Sequence, residues 1–425
     1  MRTIATVLLL AIGFGVAAQK DCGTQSYTDI KKAADKELSA RLSAVESFIK
    51  KQAFKITSNA SGKNDGQAAI NVIRIPVVVH VLYNTEAQNV SDAQIKSQID
   101  ALNRDFRKQN KDTVNIPERF KLFAADVAIE FVLATADPKG RPTTGVVRKK
   151  THVAEWKMDD KIKFSAQGGN DAWDAKSYLN IWVGNLRKAL GYSSIPGDEA
   201  AIDGVVINRT AFGTSGAKAP YNHGRTAVHE VGHWLGLKHI WGDESCGDDL
   251  VGDTPQQGNF TAGCPTGFRT TCGNAPIGDM YMNYMDFTND ACMNMFTYGQ
   301  RNRMRALFNY GGPRYSLLYS KGLNAPWVEE APVAAAPEKE ESPIAVAGSL
   351  KFYPNPAVNE VVLLLEDAAW MGKELRVLNM NGRILQKIQV AAKSQRISIA
   401  QLKPGIYFIQ GENGSSRVVQ KLVKM

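Results

Sequence analysis

At 425 residues the chain is too long for one compact domain, and 44% hydrophobic with 22% charged residues excludes a wholly disordered polymer. The formal charge of +9 is spread along that length with no compact run of Lys and Arg interleaved with aromatics, so nucleic-acid binding is not an expected function. Such a surface is simply soluble and basic.

The N-terminus reads as an export signal over residues 1–19. Arg2 is its basic start, an apolar run extends from Ile4 to Val16, and Ala17 and Ala18 are the small residues of a cleavage site. That run is too short to span a bilayer, and no later segment is apolar enough to do so. Asp21, not a small residue, precedes Cys22, which argues against a lipid-acceptor cysteine and for a cleaved, soluble export signal. Export permits disulfides. Cys246, Cys264, Cys272 and Cys292 cluster in the second half, where arithmetic allows three pairings, and Cys22 is left over.

From Tyr27 to Lys55 apolar residues recur at three- and four-residue spacings, the pattern of one amphipathic helix or two. Thr57–Gly66 is rich in Ser, Asn and Gly and reads as an exposed cleavage region. Val72–Leu82 is β-branched and reads as a buried strand. Ser91 is placed to cap a helix through Phe106, and further strands are expected at Val127–Ala134, Tyr178–Val183 and Gly204–Asn208. A helical pattern follows from Arg225 to Leu235, then Gly-, Asp- and Thr-rich loops as far as Asn289, then a helix over Gln300–Phe308. Pro326–Gly348 has the Ala/Pro/Glu composition of a linker. Beyond it, short period-two segments alternate with turn signals such as Pro354-Asn355-Pro356, Asn381-Gly382, Pro404-Gly405 and Asn413-Gly414, which predicts a small all-β module.

The chemistry is concentrated in His229-Glu230-Val231-Gly232-His233-Trp234-Leu235-Gly236-Leu237-Lys238-His239. Residues four apart share a helix face, so His229 and His233 can take two corners of a tetrahedral zinc site. Gly236 can adopt the left-handed conformation that ends the helix, after which His239 returns as third ligand. A fourth position is left for water, and zinc lowers the pKa of that water to about 7. Glu230 is the candidate base that takes its proton and passes it to a leaving amine. His80 and His152 lack ligand spacing and read as structural, whereas His223 stands close to the helix start, where it could line the cleft. Clustered carboxylates in the loop containing Asp249, Asp253 and Thr254 suit a hard cation such as calcium.

The spacing H-E-x-x-H-x-x-G-x-x-H resembles the metzincin clan, and Asn283-Tyr284-Met285-Asp286 resembles its methionine turn. Gly252-Asp253-Thr254-Pro255, Ala291-Cys292-Met293 and Phe296-Thr297-Tyr298-Gly299-Gln300 narrow the resemblance to the pappalysin family. The resemblance implies a mixed α+β catalytic domain with a twisted sheet, a backing helix and a zinc-binding helix, acting as a zinc metalloendopeptidase on protein or peptide substrates. His229, His233 and His239 would bind zinc, Glu230 would be the base and Met285 the turn methionine. It implies Cys246–Cys264 and Cys272–Cys292 bridges and a calcium site at Asp249, Asp253 and Thr254. Asp290 is a candidate floor for a pocket reading a basic residue after the scissile bond. Phe287 departs from the pattern, standing where relatives carry a tyrosine whose hydroxyl supports the tetrahedral intermediate.

Cys22 in Asp21-Cys22-Gly23-Thr24 resembles a cysteine switch, a propeptide thiolate on the open metal position. The tail, with Phe352-Tyr353-Pro354-Asn355-Pro356 and Leu402-Lys403-Pro404-Gly405-Ile406-Tyr407-Phe408, resembles a type IX secretion sorting domain, an address for the secretion machinery. The expected organisation is signal 1–19, latent propeptide 20–71, catalytic domain 72–324, linker 325–348 and a sandwich-like β domain 349–425. The product would be secreted to the exterior or cell surface by outer-membrane export. A surface binding protein with an impaired or structural metal site is the alternative reading.

Overall fold

The run Ile73–Tyr83 has Val or Ile at most positions and is buried on both faces, which is the environment of a central strand in a parallel sheet. In the computed structural model it is that strand, β1. The structure describes residues 22–60, 71–324, 326, 350–365, 368–379, 383–413 and 416–425. The expected export signal, nearly all of the linker and the Asn381-Gly382 turn lie outside them.

Ahead of β1 stand helices α1 (Thr24–Ala34) and α2 (Leu38–Ala60). The second continues through Ser58 and Asn59, where a loop is expected, because no Gly or Pro interrupts it before Gly62. Helix α3 (Asp92–Phe106) follows β1, and its capping is as predicted: the Ser91 hydroxyl accepts the Gln94 amide at 3.1 Å. A one-turn α4 (Glu118–Lys121) leads to β2 (Ile129–Leu133), β3 (Val146–Lys150), β4 (Leu179–Gly184), β5 (Gly191–Ser193) and β6 (Val205–Asn208). These strands form one sheet in the order β2-β1-β4-β6-β5, with β3 on the second half of β1. All pairs are parallel except β5 with β6, so the sheet ends on an antiparallel edge. Strands β3 and β5 escape the hydrophobic pattern because one holds only two apolar residues and the other only three residues in all.

Val77, Val79, Ile181 and Ile207 on one face of the sheet pack with Ile95, Ile99 and Leu102 of α3 and with Val228 and Val231 of α5 (Arg225–Trp234). The other face carries Leu82, Trp182, Tyr192 and Val206 under Trp156 and Ile162. Helix α6 (Tyr298–Ala306) begins with a capping box between Thr297 and Gln300. No helix among the described residues is long and apolar enough to cross a membrane.

Between α5 and α6 the chain is held by two disulfides, and here the expected pairing is corrected: the bridges are Cys246–Cys272 and Cys264–Cys292. Gly263 forms a β-bridge with Thr288, and the Asn289 amide donates to the Gly263 carbonyl at 2.9 Å. This contact lays Cys264 beside Cys292 and leaves Cys246 for Cys272, each pair with Cα atoms 5.6 Å apart.

Contacts divide the described residues into two units, one ending at residue 326 and the other beginning at residue 350. The C-terminal unit holds two antiparallel sheets: β10 (Ile384–Gln389), β9 (Glu374–Leu378), β12 (Gly405–Asn413) and β13 (Ser416–Lys424) in one, β11 (Ser394–Ser398), β8 (Glu360–Leu365) and β7 (Leu350–Tyr353) in the other. Val361, Leu363, Trp370, Leu375, Val377 and Ile409 form its core.

Digestion of the unreduced protein should release peptides linking Cys246 to Cys272 and Cys264 to Cys292, and recovery of a Cys246–Cys264 link would refute this topology. Loops of 26 and 28 residues make each bridge worth about 3–4 kcal/mol of chain entropy, so Cys264→Ala should lower stability by that order.

Candidate active site

Helix α5 is ten residues long and buried along its whole length. Its first turn has no side-chain cap of its own. The Asp290 carboxylate takes that place, accepting the amides of His223 and Arg225 at 2.9 and 3.2 Å and setting negative charge against the positive end of the helix. Arg225 then binds Asp105, Asp112 and the Asp290 carbonyl. At the other end Gly236 has φ +82°, its amide bonds to the His233 carbonyl at 2.8 Å, and the Leu237 amide bonds to the Gly232 carbonyl at 2.9 Å. Those two bonds make a Schellman turn, the device that a glycine at this position permits.

The turn brings His239 back to His229 and His233. The His233 Nε2 atom lies 3.1 Å from each of the other two Nε2 atoms, and all three rings are buried. Every Nδ1 atom faces an acceptor: that of His229 the Tyr284 carbonyl at 2.7 Å, that of His233 the Leu237 carbonyl at 2.9 Å, and that of His239 the Asp243 carboxylate. Each Nδ1 must therefore donate, leaving three Nε2 lone pairs directed at one another. Three acceptors so close and so dry repel unless a cation lies between them. Zinc–nitrogen bonds of about 2.0–2.1 Å put tetrahedral ligands roughly 3.3 Å apart, so the cluster fits that ion.

Beneath it lies the methionine turn. A Cβ on Gly232 would come within 2.5 Å of the Met285 sulfur, so the glycine is what lets the turn pack against α5. Asn283 fixes the turn by accepting the Met285 amide at 2.9 Å, while its side chain exchanges two hydrogen bonds with Gln300. Trp241 stacks on the His239 ring with centroids 4.4 Å apart, and Phe287 meets the same ring edge-on at 4.9 Å.

Cys22 closes the cluster. Its buried sulfur is 3.6 Å from His233 Nε2, and the four potential ligand atoms lie within 4.8 Å of one another. The segment runs parallel to β5: the Gly23 amide donates to the Gly191 carbonyl at 2.8 Å, and the Ser193 amide donates to the Thr24 hydroxyl at 3.0 Å. Thr24 in turn donates to Glu230 Oε2 at 2.6 Å. Sequence reasoning missed Thr24 and Asp243. Thr24 had no detectable signal, whereas Asp243 could have been sought as the carboxylate that a metal-binding histidine usually engages.

His80 is satisfied by Asn180 and Asn170 and stacked on Trp182, with burial lowering its pKa to about 4, a structural histidine as expected. The Tyr284 ring packs against Phe296 under Arg225, and its buried hydroxyl has no partner among the described residues, so it does not stand in for the tyrosine missing at Phe287. Asp249 accepts the Thr254 hydroxyl at 2.9 Å, close to the Val251 carbonyl, while Asp253 instead accepts the Thr297 hydroxyl and the Gly299 amide at the start of α6.

Residues 163–309 match the peptidase family described as pregnancy-associated plasma protein-A, and residues 351–425 match the secretion system C-terminal sorting domain. An extracellular metalloprotease of Verticillium alfalfae is 33% identical over 264 residues, covering 58% of this chain and 82% of that protein. Extracellular metalloprotease 1 of Coccidioides posadasii is 31% identical over 323 residues, covering 72% and 98%. Among solved structures, Tannerella forsythia mature mirolysin in complex with a cleaved peptide is 50% identical with a TM-score of 0.58, covering 59% of this chain and 96% of that one. Tannerella forsythia promirolysin is 44% identical with a TM-score of 0.64, covering 71% and 97%.

The Asp243 contact carries a prediction. Asp243→Ala should weaken retention of a transition metal by about 10–100-fold, read by competition with a chromogenic chelator. Unchanged retention would show that the His239 tautomer is fixed by something else.

Proposed function

The chain belongs to the pappalysin family of metallopeptidases, as an extracellular metalloprotease with a C-terminal type IX secretion sorting domain, and from that membership we propose that it is a zinc endopeptidase made as a Cys22-locked zymogen. The observation that carries this reading is the set of three Nε2 lone pairs facing one another, with every Nδ1 committed elsewhere. His229, His233 and His239 hold the metal. Zinc bound there supplies a coordinated water of pKa about 7 and polarises the carbonyl under attack. Glu230 accepts the proton of the attacking water at its carboxylate and delivers it to the amine that leaves. The Met285 turn supports the floor of the ligand cage.

The likeness to promirolysin supports a zymogen form. In our reading residues 20–71 are the prosegment, with two contacts that silence the site. Cys22 lies against the three histidines, where its sulfur would be the fourth ligand of a bound metal, and Thr24 engages the Glu230 oxygen that would take the proton. Because the fourth ligand comes from a removable segment, the site is catalytic rather than structural: a structural zinc site is closed by ligands that stay. Residues 72–324 are the catalytic domain. The unit from residue 349 is the address that the secretion machinery reads and takes no part in hydrolysis.

A calcium ion is proposed where the Asp249 carboxylate, the Val251 carbonyl and the Thr254 hydroxyl converge, an oxygen set suited to a hard cation. Asp253 is outside that set and serves α6.

Two measurements test the central reading. In the processed enzyme Glu230→Gln should lower kcat by about 10²–10⁴-fold while metal content stays at one ion per chain. Full activity in that variant would sink the assigned mechanism. In the precursor, Cys22→Ala should raise basal proteolysis and accelerate self-processing, and an equally silent variant would leave latency to the rest of the prosegment.

A further inference from the structure

Tyr27 lies five residues beyond Cys22, and its side chain is inserted into a slot on the sheet face opposite α5. Its ring rests 4.9 Å from that of Tyr192, and its hydroxyl donates to Asp160 Oδ2 at 2.7 Å. The Lys163 ammonium stands 5.3 Å from the Tyr27 ring centroid and 5.0 Å from that of Tyr192. Lys163 is itself fully buried, paired with Asp160 at 2.8 Å and with the Ile202 carbonyl at 2.8 Å. All the groups that receive Tyr27 belong to the part of the chain that remains when the prosegment leaves.

The slot borders the strand edge that holds Cys22. Tyr192 is the middle residue of β5, whose Gly191 carbonyl and Ser193 amide bind the segment that carries Cys22. An extended peptide laid on that edge uses the same two backbone groups and sends alternate side chains to opposite faces of the sheet. One set faces Glu230, against which Gly191 packs closely, and the other faces the Tyr192 side. A half-buried carboxylate, an ammonium and an aromatic wall match a phenol: the hydroxyl gains a charge-assisted bond, and the ring gains cation–π and ring–ring contact.

We propose that the slot of Tyr192, Lys163 and Asp160 is a substrate subsite that accepts a tyrosine side chain once the prosegment has gone, and that Tyr27, reaching it from the first turn of α1, fills it in the zymogen. The inference rests on the reading of residues 20–71 as a removable prosegment over a peptidase site.

Cleavage-site profiling of the processed enzyme on a mixed peptide library tests it. Tyrosine should be enriched at one fixed position relative to the scissile bond, with about tenfold higher kcat/KM than phenylalanine there, the effect of one hydrogen bond to a charged group. Asp160→Asn should bring the Tyr-to-Phe ratio close to one. Cleavage with no aromatic enrichment at any fixed position would overturn the subsite and leave Tyr27 as an anchor only, as would a ratio unchanged by Asp160→Asn. Absence of all cleavage would instead overturn the peptidase reading. Should Asp160→Asn fail to accumulate, competition on the parent enzyme decides: N-acetyl-tyrosinamide should inhibit more strongly than N-acetyl-phenylalaninamide, and equal inhibition overturns the proposal.

Discussion

The architecture around α5 depends on one electrostatic problem: three imidazole nitrogens, each presenting a lone pair, are gathered in a dry interior with that of His233 3.1 Å from each of the other two. Without a cation the arrangement is repulsive, so the fold must supply the rigidity that keeps it together. Three separate stretches of chain do this, each through an Nδ1 bond. The methionine turn offers the Tyr284 carbonyl, the Schellman turn offers the Leu237 carbonyl, and the loop after His239 offers Asp243. Each bond fixes a tautomer as well as a direction, and so decides which nitrogen is left for the metal.

The two ends of α5 show how a short helix is made rigid enough for this role. A ten-residue helix is marginal alone, so its stability comes from packing and from satisfied ends. Asp290 satisfies the first turn from outside the helix, and Gly236 lets the last carbonyls bond to the returning chain. The same two devices place the ligands: one sets where the helix begins relative to the methionine turn, the other aims His239. Residues 22–24 bond to the adjacent strand edge at Gly191 and Ser193, which brings Cys22 to the three histidines and Thr24 to Glu230 together.

Legibility in the sequence followed the range of the interaction. The ligand histidines, Gly236 and the Ser91 cap were readable because each depends on residues within a turn or two, and helical spacing is fixed by geometry. The long β-branched run of β1 was readable for the same reason. What escaped depends on pairing between distant residues. The bridges interleave because Gly263 pairs with Thr288, a contact with no local signature. Asp253 looked like a cation ligand by composition, yet its oxygens serve α6 more than forty positions later. Thr24 owes its contact with Glu230 to the register of an edge strand only three residues long.

Phe287 shows what a departure from the family pattern does in its setting. Its ring meets His239 edge-on, lies 4.8 Å from Trp241 and 5.4 Å from Phe260, and joins the cluster in which Cys22 is buried. A phenolic hydroxyl at that place would add a donor for a developing oxyanion, and a phenyl ring cannot. The ring instead completes an apolar wall against the metal ligands, and charge interactions strengthen where water is excluded. Tyr284, buried under Arg225, does not restore the lost donor. In the proposed mechanism a cation held by the three histidines would carry more of the oxyanion stabilisation, and the rigidity of their Nδ1 anchors would count for correspondingly more.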